Sequence, residues 1–315
     1  MAVSESTNFV ITRDDVIQEA LEQVGYLSVE ESPTANDLTS CTRTLNMLVK
    51  AWQGRGLNIF RLKASALFLS KDKNDYILGG SSSDRWGYNY GFTALNGAQA
   101  ASATAMTVDS ITGMVASDKI GIKLADGTMH WDVISGSPTG TTVTLTTGLA
   151  SAALDNAVVY FYTATTELPM RVIHMLHRNS GGTETPGHVW ESYEYVSLPN
   201  KTSDGIALQG WFDRQQAAPV WHVWPQESVV DSAHILYVQN QVDDFDSGTD
   251  DADYPQEWYW ALSLGLAKAL IPKYGVPYTT AREITMQATD ALEEAEGFDR
   301  GETIYFQPNH RDVSG

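Results

Sequence analysis

The chain has 315 residues, a formal net charge of -19 and a single cysteine, Cys41. A chain of this length buries about three quarters of its surface and predicts two domains. The acidic balance argues against a protein that binds nucleic acid by its phosphates, and it favours a surface past which DNA slides without sticking. One cysteine excludes a disulfide framework and a cysteine zinc site. Cys41 occupies an apolar helix position, where we expect a buried small hydrophobic side chain.

No targeting or membrane-spanning segment is expected. The first nine residues are polar and lack the apolar core of a signal peptide. Apolar runs elsewhere fall short of the ~20 residues that span a bilayer. The sequence therefore predicts no membrane partner.

Two predicted helices stand at each end of the chain. Thr12 with Asp15 and Thr34 with Asp37 supply N-capping chemistry to the first pair. Apolar residues then recur at spacings of three and four, which is typical of amphipathic helices. In the last pair a threonine and a glutamate have capping-box spacing (Thr280, Glu283), and Pro272, Gly275 and Pro277 are expected to separate the two helices. The predicted helices cover residues 12–25, 35–54, 255–274 and 280–296.

The third of these helices is the most apolar stretch of the chain. Between Trp258 and Ile271 only Ser263 and Lys268 are strongly polar. A helix that is apolar on nearly every side is buried in its own core or against other subunits. We therefore expect this helix to contact neighbouring subunits, with its aromatic and leucine side chains as the contacts: Trp258, Trp260, Leu264 and Leu266.

Short strands are predicted between the helix pairs. Alternation over residues 60–68 predicts a half-buried strand, and residues 76–78 a short return strand, whereas residues 79–91 are expected to form a loop. Composition then shifts to Thr, Ala, Gly and Ser, with a hairpin signal at Asp126-Gly127. The strands predicted in this shifted region cover residues 105–108, 119–124, 129–134, 141–145 and 158–162. Further strands are predicted at residues 171–177, 189–198, 220–224 and 234–239.

Together these elements predict an α+β fold. Its helical part is an antiparallel bundle made from the N- and C-terminal hairpins, accompanied by a β-sheet region. The predicted domains are a core of residues 1–90 and 164–297, an inserted small antiparallel β domain of residues 91–163, and an extended C-terminal arm of residues 298–315. The arm lacks periodicity, which is the pattern of a segment that orders on a partner. Its apolar residues are Phe298, Ile304, Tyr305 and Phe306.

No catalytic, cofactor or metal site is predicted. His174 and His177 have HxxH spacing, but on a strand they do not share a face, and no acidic third ligand is recognisable. The aspartates between Asp243 and Asp253 lack the order and the closing glutamate of a calcium loop, so a solvated acidic loop is favoured. Nucleotide-binding and nucleophile-elbow motifs are absent from the sequence.

Both ends of the chain resemble a known family. The N-terminal pair carries Leu45-Asn46-Met47-Leu48 and Trp52-Gln53-Gly54-Arg55-Gly56-Leu57, and the late helix opens with Tyr254-Pro255-Gln256-Glu257-Trp258 and leads to Lys273-Tyr274-Gly275. In pattern and order, residues 9–78 and 166–297 resemble the head-to-tail adaptors of short-tailed bacteriophages, also called tail tubular protein A or tail accessory factor. Residues 117–131 also resemble a β insert of larger phage members.

The resemblance implies a virion protein without enzymatic activity, forming a ring of about twelve copies below the portal protein. Such a ring extends the DNA channel and gives the tail nozzle protein and tail fibres a docking surface. Genomic DNA passes through without sequence-specific binding. The C-terminal arm would then contact the portal, with Phe298, Ile304, Tyr305 and Phe306 as anchors.

Two other functions stay open at this stage. One is a peptidoglycan-degrading tail protein, because some proteins of this family type are linked to cell-wall degradation. The other is a binding module for tail fibres or host glycans, acting through the inserted β domain.

Overall fold

Helices from both ends of the chain and strands from its middle make up the structure, a computed structural model that describes residues 8–55, 61–79, 84–164, 167–216 and 218–299. The α+β class predicted from the sequence is confirmed. The chain divides into two units. Residues 1–60 and 242–315 form a helical unit, and residues 61–241 form a β unit.

Local capping sets the ends of the first two helices. Helix α1 spans Arg13–Gln23 and α2 spans Ala35–Gln53. The Thr12 hydroxyl accepts the Asp15 amide at 3.3 Å, while the Asp15 carboxylate accepts the Thr12 amide at 2.9 Å. Thr34 and Asp37 repeat this reciprocal box on α2. Each pair satisfies two amides that a helix otherwise leaves without partners, so these capping predictions are confirmed.

The C-terminal helices differ from the prediction at their ends. A 3-10 turn, Gln256–Trp258, leads into α4, Tyr259–Tyr274, and α5 follows as Tyr278–Asp299. Pro272 stays inside α4, and Gly275 ends that helix with a φ of 63°. Because α5 begins at Tyr278, Thr280 lies in its first turn and is not its cap. The helix also continues through Gly297, which was expected to stop it.

One hydrophobic core holds the helical unit together. Helix α4 packs against α1, α2 and α5, so its apolar residues are enclosed on several sides. The predicted antiparallel bundle remains a prediction, because packing around α4 does not by itself fix the helix directions. Cys41 is fully buried in this core, as expected. The fully buried residues also include Val16, Ile17, Ala20, Leu21, Leu45, Leu262, Leu266, Ala267 and Leu270.

The β unit contains sixteen strands among its described residues, together with one short helix. Strands β1, Leu62–Phe68, and β3, Trp86–Ala94, lie inside an eight-stranded sheet with the order β10-β9-β16-β1-β3-β8-β5-β6. Its other strands are β5 (Lys119–Lys123), β6 (Met129–Val133), β8 (Val158–Ala164), β9 (Pro169–Arg178), β10 (Glu184–Pro186) and β16 (Ala233–Asn240).

A four-stranded sheet has the order β11-β13-β14-β2. It consists of β2 (Asp75–Ile77), β11 (His188–Trp190), β13 (Gln209–Asp213) and β14 (Val220–Trp224). Two small pairs complete the unit: β4 (Ala105–Thr107) with β7 (Thr142–Thr144), and β12 (Asp204–Gly205) with β15 (Gln226–Glu227). The short helix α3 spans Ser192–Val196.

Three predictions for the β unit are wrong, and the first two concern strand partners distant in sequence. Residues 79–91 were expected to form a loop, yet Trp86 begins β3, which pairs with β1 and β8. Strand β2 does not return along β1 but pairs with β14 in the other sheet. The single strand predicted over residues 189–198 is instead β11 followed by α3.

The segment predicted as an inserted domain, residues 91–163, has a core of its own that includes Leu95, Ile120, Val143 and Val159. Its strands β5, β6 and β8 nevertheless belong to the large sheet, whereas β4 and β7 pair with each other in a sheet of their own. Strand β3 begins before residue 91 and pairs with β8, so the sheet continues across both predicted boundaries. Composition therefore locates a local core in this segment, whereas the compact unit extends from residue 61 to residue 241.

Candidate functional site

The four predicted subunit-contact residues have different environments. Trp258, Leu264 and Leu266 are at most 1% exposed and belong to the core of the helical unit. The indole of Trp258 lies 5.9 Å from that of Trp52, ring centre to ring centre. Their apolar surface is thus used within one chain, and they are not surface contacts. Trp260, in contrast, is 55% exposed.

Trp260 borders an aromatic groove of about 380 Å³ on the helical unit. Phe9 stands at the same groove, 65% exposed, with its ring 5.9 Å from the Tyr259 ring in an edge-on arrangement. Asp15, Glu19 and Gln256 add polar groups to the lining. The groove therefore combines two exposed aromatic rings with two carboxylates.

Both ends of the chain build this groove. Just before α1, the Arg13 amide donates to the Asp250 carbonyl at 2.9 Å, and the Ala252 amide donates to the Ile11 carbonyl at 3.2 Å. These bonds join the N-terminal segment to the loop that precedes α4. Because Phe9 lies just before Ile11, the pairing brings its ring to the beginning of α4.

Tyr259 and Ser263 form the floor of the groove. Tyr259 is 8% exposed, and burial raises the pKa of its hydroxyl, with a further contribution from the Asp251 and Glu257 carboxylates. The Ser263 hydroxyl donates to the Tyr259 carbonyl at 3.2 Å within the helix. The floor is thus neutral at ordinary pH, and the negative charge lies on the rim.

The predicted portal-contact residues are only partly described. Phe298 lies in the last turn of α5 and is 65% exposed, so it belongs to a helix and not to an extended arm. Ile304, Tyr305 and Phe306 lie outside the described residues.

Carboxylates of the acidic loop have partners within the chain. The Asp250 carboxylate accepts a hydrogen bond from the Asp246 amide of the same loop at 2.8 Å. The Asp244 carboxylate forms an ion pair with Lys50 of α2 at 2.7 Å. Val242 and Phe245 are buried, so the loop is anchored in the core, whereas the sequence predicted a solvated loop.

His174 is exposed while His177 is buried, as expected for positions on opposite faces of a strand. Within the described ranges, His, Cys, Asp and Glu form no group of three that could hold a metal ion.

Sequence reasoning missed residues that line two grooves. Phe9 and Tyr259 complete the groove at Trp260, but the first was included in a polar leader and the second in a buried helix. In the β unit, Trp190 and Trp211 line another groove with Arg171 and Arg214. The two tryptophans alternate along their strands with Val189 and Phe212, which pack against the core, and this alternation is the signal that could have identified them.

Comparisons with known proteins do not assign the chain to a family. No family model matches it, and no curated protein matches it. Among solved structures, it is similar to VP17, a capsid protein of bacteriophage P23-77, with 14% identity and a TM-score of 0.20, over 57% of this chain and 72% of that one. The VP16-VP17 complex of the two major capsid proteins of the same phage gives 12% identity and a TM-score of 0.16, over 57% and 74%. TM-scores this low do not correspond to a shared fold.

None of the described helices is long and apolar enough to cross a membrane.

Proposed function

We propose that the chain is a structural protein of a short-tailed bacteriophage virion, a ring-forming adaptor that joins the portal to the tail nozzle and fibres. One observation carries the proposal: a helical unit assembled from both ends of the chain exposes Trp260 and Phe9 at a single groove. The resemblance of residues 9–78 and 166–297 to head-to-tail adaptors supports the same proposal, because it covers most of the described helical segments.

The groove supports subunit contact through its chemistry. Tryptophan is among the residues that dominate binding energy when a partner buries them. Trp260 and Phe9 are both more than half exposed, and each ring leaves apolar surface in water. In the proposed ring, a neighbouring copy covers these rings. The buried residues of α4 then serve the monomer's own stability.

The charge distribution supports passage of DNA. The segments of the helical unit carry 23 of the 39 acidic residues and only nine of the 20 basic residues. Phosphate groups are repelled by such a surface, so DNA that passes the ring does so with little adhesion. The proposal places the protein at the portal–tail junction of the particle, and it assigns the chain no catalytic activity.

Replacing the exposed indole tests the ring. Trp260→Ser is expected to weaken self-association on the portal by a factor of about 30 or more, because a central tryptophan typically contributes at least ~2 kcal/mol. Tyr278→Ser is the matched control, since Tyr278 is an 81% exposed aromatic residue of the same unit outside the groove. Native mass spectrometry with and without portal protein gives the stoichiometry.

A wild-type chain that remains monomeric with portal protein present would contradict the adaptor. So would equal losses in the Trp260 and Tyr278 variants, because the groove would then have no special role. Electron micrographs of the assembled particle locate the protein directly. Clearing of cell walls in a zymogram, lost on replacing one carboxylate, would replace the adaptor with the hydrolase.

Removing residues 300–315 tests the arm. The described part of α5 ends at Asp299, so the deletion leaves the helix and its buried face in place. We expect a folded protein with unchanged helical content that no longer binds the portal in a pull-down. Phe298→Ser, in the full chain, is the companion variant, because it removes the one described anchor. Retained portal binding in the deletion would refute the arm assignment.

A further inference from the structure

A second groove lies in the β unit and is lined by other residues than the groove of the proposed ring contact. It has a volume of about 510 Å³ and lies beside β9, β11 and β13. Three aromatic side chains, two arginines and one glutamate give it its chemical character: Trp190, Trp211, Phe212, Arg171, Arg214 and Glu191. Its volume is within the range of small-ligand sites, roughly 300 to 1,000 Å³.

Two indoles form a platform in this groove. Trp190 and Trp211 are directly opposite one another on the parallel strands β11 and β13, so both side chains leave the same face of the sheet. Other rings hold them in place. Trp190 stacks on Trp224 at 5.6 Å, and Trp211 stacks on His222 at 4.7 Å with an angle of 12°.

The supporting rings are themselves fixed by hydrogen bonds. The Trp224 indole N–H donates to the Asn200 carbonyl at 3.0 Å. His222 Nδ1 lies 2.7 Å from the Asp75 carboxylate. A ligand that binds the platform therefore meets rings that are already ordered, and this lowers the entropy lost on binding.

Two guanidinium groups line the same groove, that of Arg171 on β9 and that of Arg214, the residue that follows β13. Arg171 is oriented by Gln239, whose side-chain oxygen accepts from Arg171 Nε at 2.9 Å. Arg214 is exposed and, among the residues that the structure describes, forms no ion pair. In a chain of net charge -19, two arginines that line one groove with a single glutamate indicate an anionic ligand.

We propose that this groove binds a carboxylated saccharide. Flat aromatic rings offer apolar faces to sugar C–H groups, guanidinium groups bind carboxylates in a bidentate manner, and a glutamate accepts sugar hydroxyl groups. All three kinds of group line the groove together. Nucleic acid is disfavoured because two arginines neutralise few phosphates, and nucleic-acid binding depends on many phosphate contacts.

Calorimetric titration of the full chain tests the proposal with defined probes. These are trigalacturonate, 3′-sialyllactose and a hyaluronan tetrasaccharide, each at millimolar concentration. Fully methyl-esterified trigalacturonate keeps the sugar rings but removes the charge, and hexaglutamate supplies the charge without sugar rings. We expect at least one acidic saccharide to bind, and both comparison probes to bind at least tenfold more weakly.

Arg214→Gln is the main variant, because an exposed arginine without an ion pair is not required for folding. Loss of one charged hydrogen-bonding partner is expected to weaken binding about tenfold or more. Trp190→Ala is expected to weaken saccharide binding because it removes one of the two indoles of the platform. Arg282→Gln is the matched control, since Arg282 is exposed on α5 outside this groove. Indole N–H signals of Trp190 and Trp211 in heteronuclear NMR should shift on titration.

Several results would overturn the proposal. One is the absence of heat and of indole shifts with every acidic saccharide. Another is equal affinity for trigalacturonate and its methyl ester, which would show that the arginines do not bind the carboxylates. Preferential binding of hexaglutamate would identify an acidic-peptide site instead. If Arg282→Gln weakened binding as much as Arg214→Gln, the loss would reflect the total charge of the protein and not a binding site in this groove.

Discussion

At the scale of single residues, His234 is a buried titratable group of the β unit whose ring nitrogens both have partners. It is fully buried, and its Nδ1 accepts the Trp221 indole N–H at 3.0 Å. An indole nitrogen is only a donor, so Nε2 carries the proton and donates to the Ala207 carbonyl at 2.8 Å. Burial lowers the pKa of His234 to about 4, and the neighbouring His177 acts in the same direction, while the hydrogen bond to the Ala207 carbonyl and the Glu227 carboxylate oppose it.

This neutral histidine predicts that stability falls as pH decreases from 7 to 5. In the unfolded chain a histidine binds a proton below about pH 6.5, whereas folded His234 stays neutral until about pH 4. Between these values the unfolded state binds more protons, so acid favours unfolding, by about 2 kcal/mol at pH 5. Urea unfolding at pH 7, 6 and 5 measures the slope.

His234→Gln should lose this pH dependence, whereas His174→Gln, at an exposed position, should keep it. If the glutamine variant does not fold, the titration of His234 in the wild type by NMR gives the same information. A signal that titrates near pH 6.5 would contradict the assignment. The Glu227 carboxylate does not confound the measurement, because its pKa is lowered: burial raises it, but hydrogen bonds from His177 and from the Ala207 amide outweigh burial.

At the scale of elements, the sequence predicts what local chemistry determines. The caps at Thr12 and Thr34 depend on residues three positions away, and the five strands between residues 105 and 162 are marked by local composition and turn signals; all of them are present. The partner of β2 is β14, more than 140 residues later, and no local pattern specifies it. The exposure of Trp260 beside buried Trp258 likewise depends on how α1 and α2 pack on α4. The sequence of this helical segment alone does not show which of the two tryptophans is exposed.

Contact between α2 and α4 depends on the absence of a side chain at Gly265. A Cβ at this position would lie 2.8 Å from the Trp52 ring and 3.2 Å from Leu48. We expect Gly265→Ala to destabilise the helical unit by about 1–3 kcal/mol, because this overpacking exceeds the gain in helix propensity. Chemical denaturation followed by circular dichroism at 222 nm measures the change.

Gly297→Ala is the matched control, since Gly297 lies in α5 and a Cβ there meets nothing within 4 Å. It should stabilise the protein by up to about 1 kcal/mol through helix propensity alone. Equal effects of the two alanine substitutions would show that α2 and α4 adjust without cost. The packing of Trp52 would then not limit the approach of the helices.

At the scale of the whole molecule, the division into units follows from where the cores lie. One core joins the two ends of the chain, from Val16 to Ala295, although more than 180 residues separate its halves. The other three cores formed by the described residues lie entirely within residues 61–241. Composition indicated a β insert, but only strand pairing shows that β3 and β8 continue the sheet of β1 and β16. Sequence therefore predicts that the helical ends belong together, and it does not give the limits of the β unit.

Because its cores are self-contained, residues 61–241 should fold as an isolated fragment. The fragment keeps every strand of both main sheets, so we expect cooperative unfolding and a near-ultraviolet circular dichroism signal from its buried Trp86 and Trp221. The comparison is a shorter fragment of residues 91–163. This fragment lacks the first half of β3 and also lacks Phe68. In the full chain the Phe68 ring contacts the rings of Tyr160, at 4.9 Å, and Tyr162. The shorter fragment should unfold at a lower denaturant concentration with a smaller slope, in line with the smaller surface that it buries. Equal midpoints for the two fragments would mean that the segment is an independent domain, as its composition predicts, and that the sheet across its boundaries contributes little to its stability.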